Sequence, residues 1–148
     1  MRAYFFGNLY LSSIQQGIQA AHTVVEMYNK YPVDSHQYSI LDHWARDHKT
    51  MILLNAGYSE NIHELVSVFN TTANPLPWAH FNEGKDALDG ALTCVGIILP
   101  EEFYEAAKEI RNGVPPTDQW AVAPNYFKLQ TDWERAMAQR LNIYGMAR

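Results

Sequence analysis

The sequence predicts an α/β body followed by a helical extension. Short apolar, β-rich runs alternate with segments of helical periodicity, and helix-start signals stand between them. A turn-rich break at Asn112-Gly113-Val114-Pro115-Pro116 then separates the body from a last amphipathic segment. With 148 residues, 47% of them hydrophobic and 18% charged, the composition is globular and one core is the starting expectation.

Ala3 to Leu11 is aromatic and reads as the first strand. Ser13-Ile14-Gln15-Gln16 matches a capping box and predicts a helix to about Asn29, with Tyr31-Pro32 beyond its end. Ser35 to Asp47 predicts a second helix on a weaker pattern, and Lys49 to Asn55 a short buried strand bounded by Gly57. Ser59 caps a third helix whose Ile62, Leu65, Val66 and Phe69 share one face, ended by Asn74-Pro75. Leu76 to Asn82 and Ala91 to Leu99 read as two more strands around the exposed, turn-rich segment from Glu83 to Gly90. Pro100-Glu101-Glu102 opens a helix with its acids at the positive end and Phe103, Ala106, Ala107 and Ile110 as its core face. The order is β-α-α-β-α-β-β-α over residues 1–112. In the extension, 113–148, Thr131 and Glu134 form a second capping box, and Trp133, Met137, Leu141 and Tyr144 share a face of the last helix.

The net charge of −5 is uneven, −6 over residues 1–112 and +1 beyond. An acidic body opposes phosphate-backbone contacts, so DNA is not an expected partner. One cysteine, Cys94, excludes an internal disulfide and sits in an apolar run, where a buried thiol is expected. No apolar stretch is long enough to span a bilayer and the start lacks a signal-peptide pattern, so the expectation is a protein that does not enter membranes and resides in the cytoplasm, the host's if the chain is viral.

The first helix carries the most informative pattern. Gln15, Gln19, His22 and Glu26 recur at i, i+4, i+7 and i+11 as a polar stripe, with Ile14, Ile18, Ala21 and Val25 as the opposite, core-facing one. Two amides and an imidazole give directional hydrogen bonding with little charge. Tyr10, Ser12 and Ser13 lead into the helix start, where free amides favour an anion such as phosphate. His80 and Asn82 lie at a strand end, where α/β sheets tend to place ligands. His36, His43 and His48 form no tight ligand pair in sequence, and His63-Glu64 fails the zinc-protease pattern because position 67 is Ser, so no metal is expected. No G-x-S-x-G elbow accompanies Ser12 or Ser13, which argues against serine catalysis. No cofactor is implied. The aromatic residues are expected mostly in the core, with some able to stack on a base.

Gln19-Ala20-Ala21-His22 on the first helix, the strand Met51-Ile52-Leu53-Leu54, and Asp89-Gly90-Ala91-Leu92-Thr93-Cys94 together resemble the type 2 peptidyl-tRNA hydrolases over roughly residues 1–111. The resemblance implies a mixed four-stranded sheet with helices on both faces, and places His22 and Thr93 at positions of the family's site. The family's lysine position holds Gln15, and Ala79-His80-Phe81-Asn82-Glu83 offers no aspartate on the third strand. Glu83 falls one position off, in the turn. Losing a cation and a carboxylate removes groups that would bind phosphate and orient a proton transfer.

The sequence therefore points to a hydrolase-like fold turned to non-catalytic binding of a small nucleotide. Tyr10, Ser12, Ser13, Gln15, Gln19, His22, His80, Asn82 and Thr93 are its candidate contacts. In general character the chain is similar to the phage sponges that sequester cyclic oligonucleotide signals of antiphage defence (anti-CBASS proteins), which implies a homo-oligomer with contacts from the extension, where Trp120 lies. Two alternatives stay open: a peptidyl-tRNA hydrolase using His22 as base or water-positioning group with Thr93 as hydrogen-bond partner, and a partner-binding module that keeps only the fold.

Overall fold

Strand β1 (Arg2–Asn8) is buried from Ala3 to its end, and β4 (Leu92–Leu99) along its whole length. Their near-continuous apolar runs suit the two interior positions of a four-stranded sheet ordered β2-β1-β4-β3. The edges are β2 (Met51–Gly57) and β3 (Trp78–Asn82), where buried and more exposed residues are mixed. β1 and β2 pair in parallel, while β3 runs antiparallel to β4, so the sheet is mixed. This computed structural model describes residues 1–113 and 124–147.

Helices lie on both faces. The long α1 (Ser13–Lys30) and α2 (His36–His43), which runs on into a π turn over Trp44–His48, share one core cluster with the sheet: Ala20, Met27, Leu41 and Trp44 meet Ala3, Phe5, Ala79, Cys94 and Ile98. On the other face Phe69 of α3 (Ser59–Phe69) packs against Phe6, ring centroids 5.9 Å apart. Gly96 is demanded by the first core, because a Cβ there would stand 2.7 Å from Phe5 Cδ1 and 3.1 Å from Met27 Cε. Burial pushes the Cys94 thiol in the same cluster up to about 12. Along the β2 edge the chain end returns: the Asn55 amide donates to Gly145 O at 2.8 Å and the Ala147 amide to Leu53 O at 3.0 Å, covering an edge that would otherwise present unpaired groups.

The chain divides into two compact units, Met1–Ile98 with Gly145–Arg148, and Leu99–Tyr144. The second holds α5 (Glu101–Arg111), α6 (Pro124–Lys128) and α7 (Asp132–Arg140). Glu109 of α5 ties the start of α6, accepting from the Asn125 and Tyr126 amides at 3.0 Å each. Thr131 and Glu134 cap α7 as the sequence predicts, and Met137 and Leu141 are buried in this unit. Trp120 lies outside the described residues. Among the described residues, no helix is long and apolar enough to cross a membrane.

Several boundaries move from their sequence expectation. β1 stops at Asn8, so Leu9 to Leu11 form a turn, with the Leu11 amide donating to Asn8 O. The cap of α1 is Ser12, one residue earlier than the Ser13 reading, since the partner at the third helical position is Gln15 and not Gln16. α3 ends at Phe69, before Asn74-Pro75, and a single turn, α4 (Lys85–Leu88), interrupts the segment from Glu83 to Gly90.

The larger correction concerns the faces of α1. Ile14, Ile18 and Val25, expected in the core, are exposed by 79%, 51% and 54%. The buried row is instead Gln16, Ala20, Thr23 and Met27 with Gln19 beside it. That row has the same i, i+4, i+7, i+11 spacing, so periodicity alone does not choose between them. Small residues decide it: Ala20 and Thr23 let the helix axis approach the sheet, and the Thr23 hydroxyl is satisfied by donating to Gln19 O at 2.8 Å. Met27→Ala should therefore cost about 2–5 kcal/mol in urea unfolding, as a buried truncation does. Ile18→Ser, in the stripe that reads as core, should stay within about 0.5 kcal/mol of the parent.

Candidate functional site

A cleft of about 560 Å³ opens at the end of the sheet where β1 and β3 finish and β4 begins. That volume lies within the range of small-molecule sites, about 300–1,000 Å³. Asn8, Tyr10, Leu11 and Gln15 line it from the β1–α1 connection and Ser59 from the start of α3. Glu83, Ala87, Leu88, Ala91 and Thr93 line it from the β3–β4 segment. Glu83 is the one charged group among these described lining residues.

The walls are fixed by polar side chains of the sheet edge and the helix starts. Asn8, 5% exposed, donates through Nδ2 to Ser59 Oγ at 3.1 Å and accepts from the Tyr10 amide at 3.0 Å. It thereby ties the starts of both helical connections to β1. Gln16 donates to Leu11 O at 2.9 Å from beneath the same turn. Gly7 leaves the room for that amide, because a Cβ there would fall 2.8 Å from Gln16 Oε1. At the rim Tyr10 leans on Tyr58, ring centroids 5.0 Å apart, giving an aromatic surface that is 81% exposed at Tyr10.

Gln19 reaches across from α1 and donates through Nε2 to Glu83 Oε1. The partner fixes the amide's orientation, since a carboxylate only accepts and the flipped amide would face it with oxygen. The Gln19 and Gln16 carbonyl oxygens are buried with no hydrogen-bond partner among the described residues. Thr93, 1% exposed, donates to Phe81 O at 3.4 Å.

The structure thus brings Tyr10, Gln15 and Thr93 to the cleft directly, with Gln19 behind its carboxylate. Ser12 and the Gln15 amide oxygen are engaged with each other: the Ser12 amide and hydroxyl donate to Gln15 Oε1 at 3.0 and 3.1 Å, and the Gln15 amide donates back to Ser12 Oγ at 3.3 Å. Ser13 is exposed on the first turn of α1 and His22 on a later one, outside the lining. The His22 ring stacks on Phe81 at 4.5 Å, nearly parallel at 9°. His80 and Asn82 hydrogen-bond to each other at 2.9 Å, and Asn82 also donates to Gly90 O, holding the β3–β4 turn. His80 borders a separate depression with Glu26, Asn29, Lys30 and Trp78. There Lys30 Nζ stands 3.3 Å over the indole centroid and donates to Trp78 O, and burial pulls the ammonium down to about 8.

Sequence reasoning set Glu83 aside as a turn residue and passed over Asn8 and Ser59. The available signal was position: Asn8 closes β1, Ser59 opens α3 and Glu83 follows the last residue of β3, at the sheet end where such folds gather ligands. Because Gln19 is 5% exposed, removing its acceptor strands a buried donor. Glu83→Ala should lower unfolding free energy by about 1–3 kcal/mol in urea titration, and Glu83→Gln, which keeps an acceptor oxygen, by less.

No family model matches this chain, and no curated protein matches it.

Proposed function

We propose that the cleft holds a small nucleotide or nucleoside by its base and does not cut it. The observation that carries this reading is the pairing of one carboxylate, Glu83, with uncharged hydrogen-bonding groups from Asn8, Ser59, Gln15 and Thr93. A carboxylate only accepts, so the ligand must bring donors, as the amino and imino edge of a base does. The Tyr10–Tyr58 pair at the rim supplies the flat surface on which a base stacks, an interaction of about 1–3 kcal/mol. Phosphates belong outside the cleft, away from Glu83. Cyclic oligonucleotides, which carry several bases on one ring, are the first ligands to test.

The likeness to type 2 peptidyl-tRNA hydrolases is part of the same proposal. It is supported by the mixed four-stranded sheet and by Thr93 lining the cleft, whereas His22 lies outside that lining. A second reading, hydrolysis of an acyl ester, draws support from Glu83 itself: a carboxylate lining the same cleft as Thr93 is a candidate base for water. In that case Glu83 takes the role the sequence assigned to His22, whose ring is stacked on Phe81.

Thermal unfolding against a panel of nucleosides, nucleotides and cyclic di- and trinucleotides tests the first reading. A ligand at a hundredfold its Kd should add about 2.7 kcal/mol, and intact ligand should be recovered on heating. Glu83→Gln and Tyr10→Ala should each weaken binding by about tenfold or more, while His22→Ala leaves it unchanged. A panel that shifts nothing overturns the proposal, and release of free tRNA from N-acyl-aminoacyl-tRNA, lost in Glu83→Gln, replaces it with the hydrolase.

A further inference from the structure

Away from the cleft, His43 ends α2 and His48 ends the π turn that follows. Residues five apart on an α-helix stand about 140° apart around the axis and cannot share a ligand. Here the chain widens: the Lys49 amide donates to Trp44 O at 2.8 Å, the i to i+5 bond of a π turn, and Lys49 then leaves the helix at φ 57°. The wider turn swings His48 back over His43. Their Nε2 atoms face each other at 3.3 Å, with the rings 5.0 Å apart and nearly perpendicular at 83°.

We propose that His43 and His48 chelate a divalent zinc-type ion through their Nε2 atoms. Two Zn–N bonds of about 2.05 Å spanning 3.3 Å meet at an angle of about 107°, close to tetrahedral, whereas a square-planar ion would draw the nitrogens to about 2.9 Å. The outer nitrogen of His43 is held as such a site requires. Asp47 Oδ2 lies 2.8 Å from His43 Nδ1, the carboxylate–histidine arrangement that fixes the tautomer and turns Nε2 towards a metal. His48 Nδ1 lies 3.3 Å from the Met1 ammonium, a donor that the Nδ1–H form of the ring displaces when Nε2 takes a metal. Arg46, the cation of the same turn, is neutralised by Asp42 at 2.7 Å. Water or a ligand of the medium completes the remaining positions, since the His43 side chain is 51% exposed.

Zinc titrated into the full, metal-stripped chain and read by competition with a chromophoric chelator tests this. One saturable site per chain at submillimolar zinc is expected. His43→Ala and His48→Ala should each weaken it by at least tenfold, and Asp47→Asn by about tenfold, the usual effect of losing such a support. His36→Ala should leave it unchanged, and an unaltered melting temperature in each metal-free variant shows that the fold is intact. Absence of saturable binding, or equal affinity in the parent and in the variant carrying both His43→Ala and His48→Ala, overturns the proposal.

Discussion

The hydrogen bond from Gln19 to Glu83 joins the first helix to the far edge of the sheet, across 64 positions of sequence. Much of the cleft's character depends on it. A buried amide left unpaired is costly, so α1 and the end of β3 are held at the separation this bond requires. Gln16 does the same for the β1–α1 turn, and Asn8 for the start of α3. Three amide side chains, all nearly buried, thereby position the loops at one end of the sheet. The other end of α1 is fastened differently, by Met27 in the apolar cluster and by Tyr31, whose hydroxyl both donates to and accepts from the backbone of Trp78 at 3.0 Å. One helix is thus polar-anchored at the cleft and apolar-anchored away from it.

This division explains what the sequence disclosed and what it concealed. All four strands, and the helices between them other than the single turn α4 and the π turn, are legible because buried strands are apolar runs and helix starts carry caps, as at Ser35 and Thr131. The tilt of α1 is not, because three rows on that helix share one spacing and the row that is buried begins with a glutamine, Gln16, with a second, Gln19, beside it. Hydrophobicity selects the stripe of Ile14, Ile18 and Val25, whereas the sheet accepts the row with Ala20 and Thr23 because it permits closer approach. The cap moves for a related reason: two serines stand side by side, and only the geometry of Gln15 shows which one it serves.

The site was legible in part. Tyr10, Gln15 and Thr93 reach the cleft from positions that strand ends and helix starts make accessible. His22, selected for its chemistry, is turned onto Phe81, where ring stacking holds it. Glu83 lies one residue past the described end of β3, yet its amide still donates to Ala91 O and continues the pairing with β4, which brings its side chain to Gln19. The same limitation hid the histidine pair. Positions 43 and 48 look unrelated on α-helical spacing, and no residue pattern announces that one turn of the chain will widen.

That the cleft is lined by amides and one carboxylate has a chemical consequence. A lysine at position 15 would add a cation to the lining that Glu83 shares, and together they could accommodate a zwitterion. Gln15 instead turns its oxygen to Ser12, and Gln19 gives Glu83 a neutral donor, so the carboxylate stands in the cleft without an opposing cation among the described lining residues. In the binding role proposed above, such a site would disfavour anions at short range and favour ligands whose donors converge on one carboxylate while their flat faces meet Tyr10. Selectivity then rests on directional hydrogen bonds, because an analogue lacking a donor leaves Glu83 unsatisfied when water is displaced, and that penalty exceeds what the lost bond itself contributed.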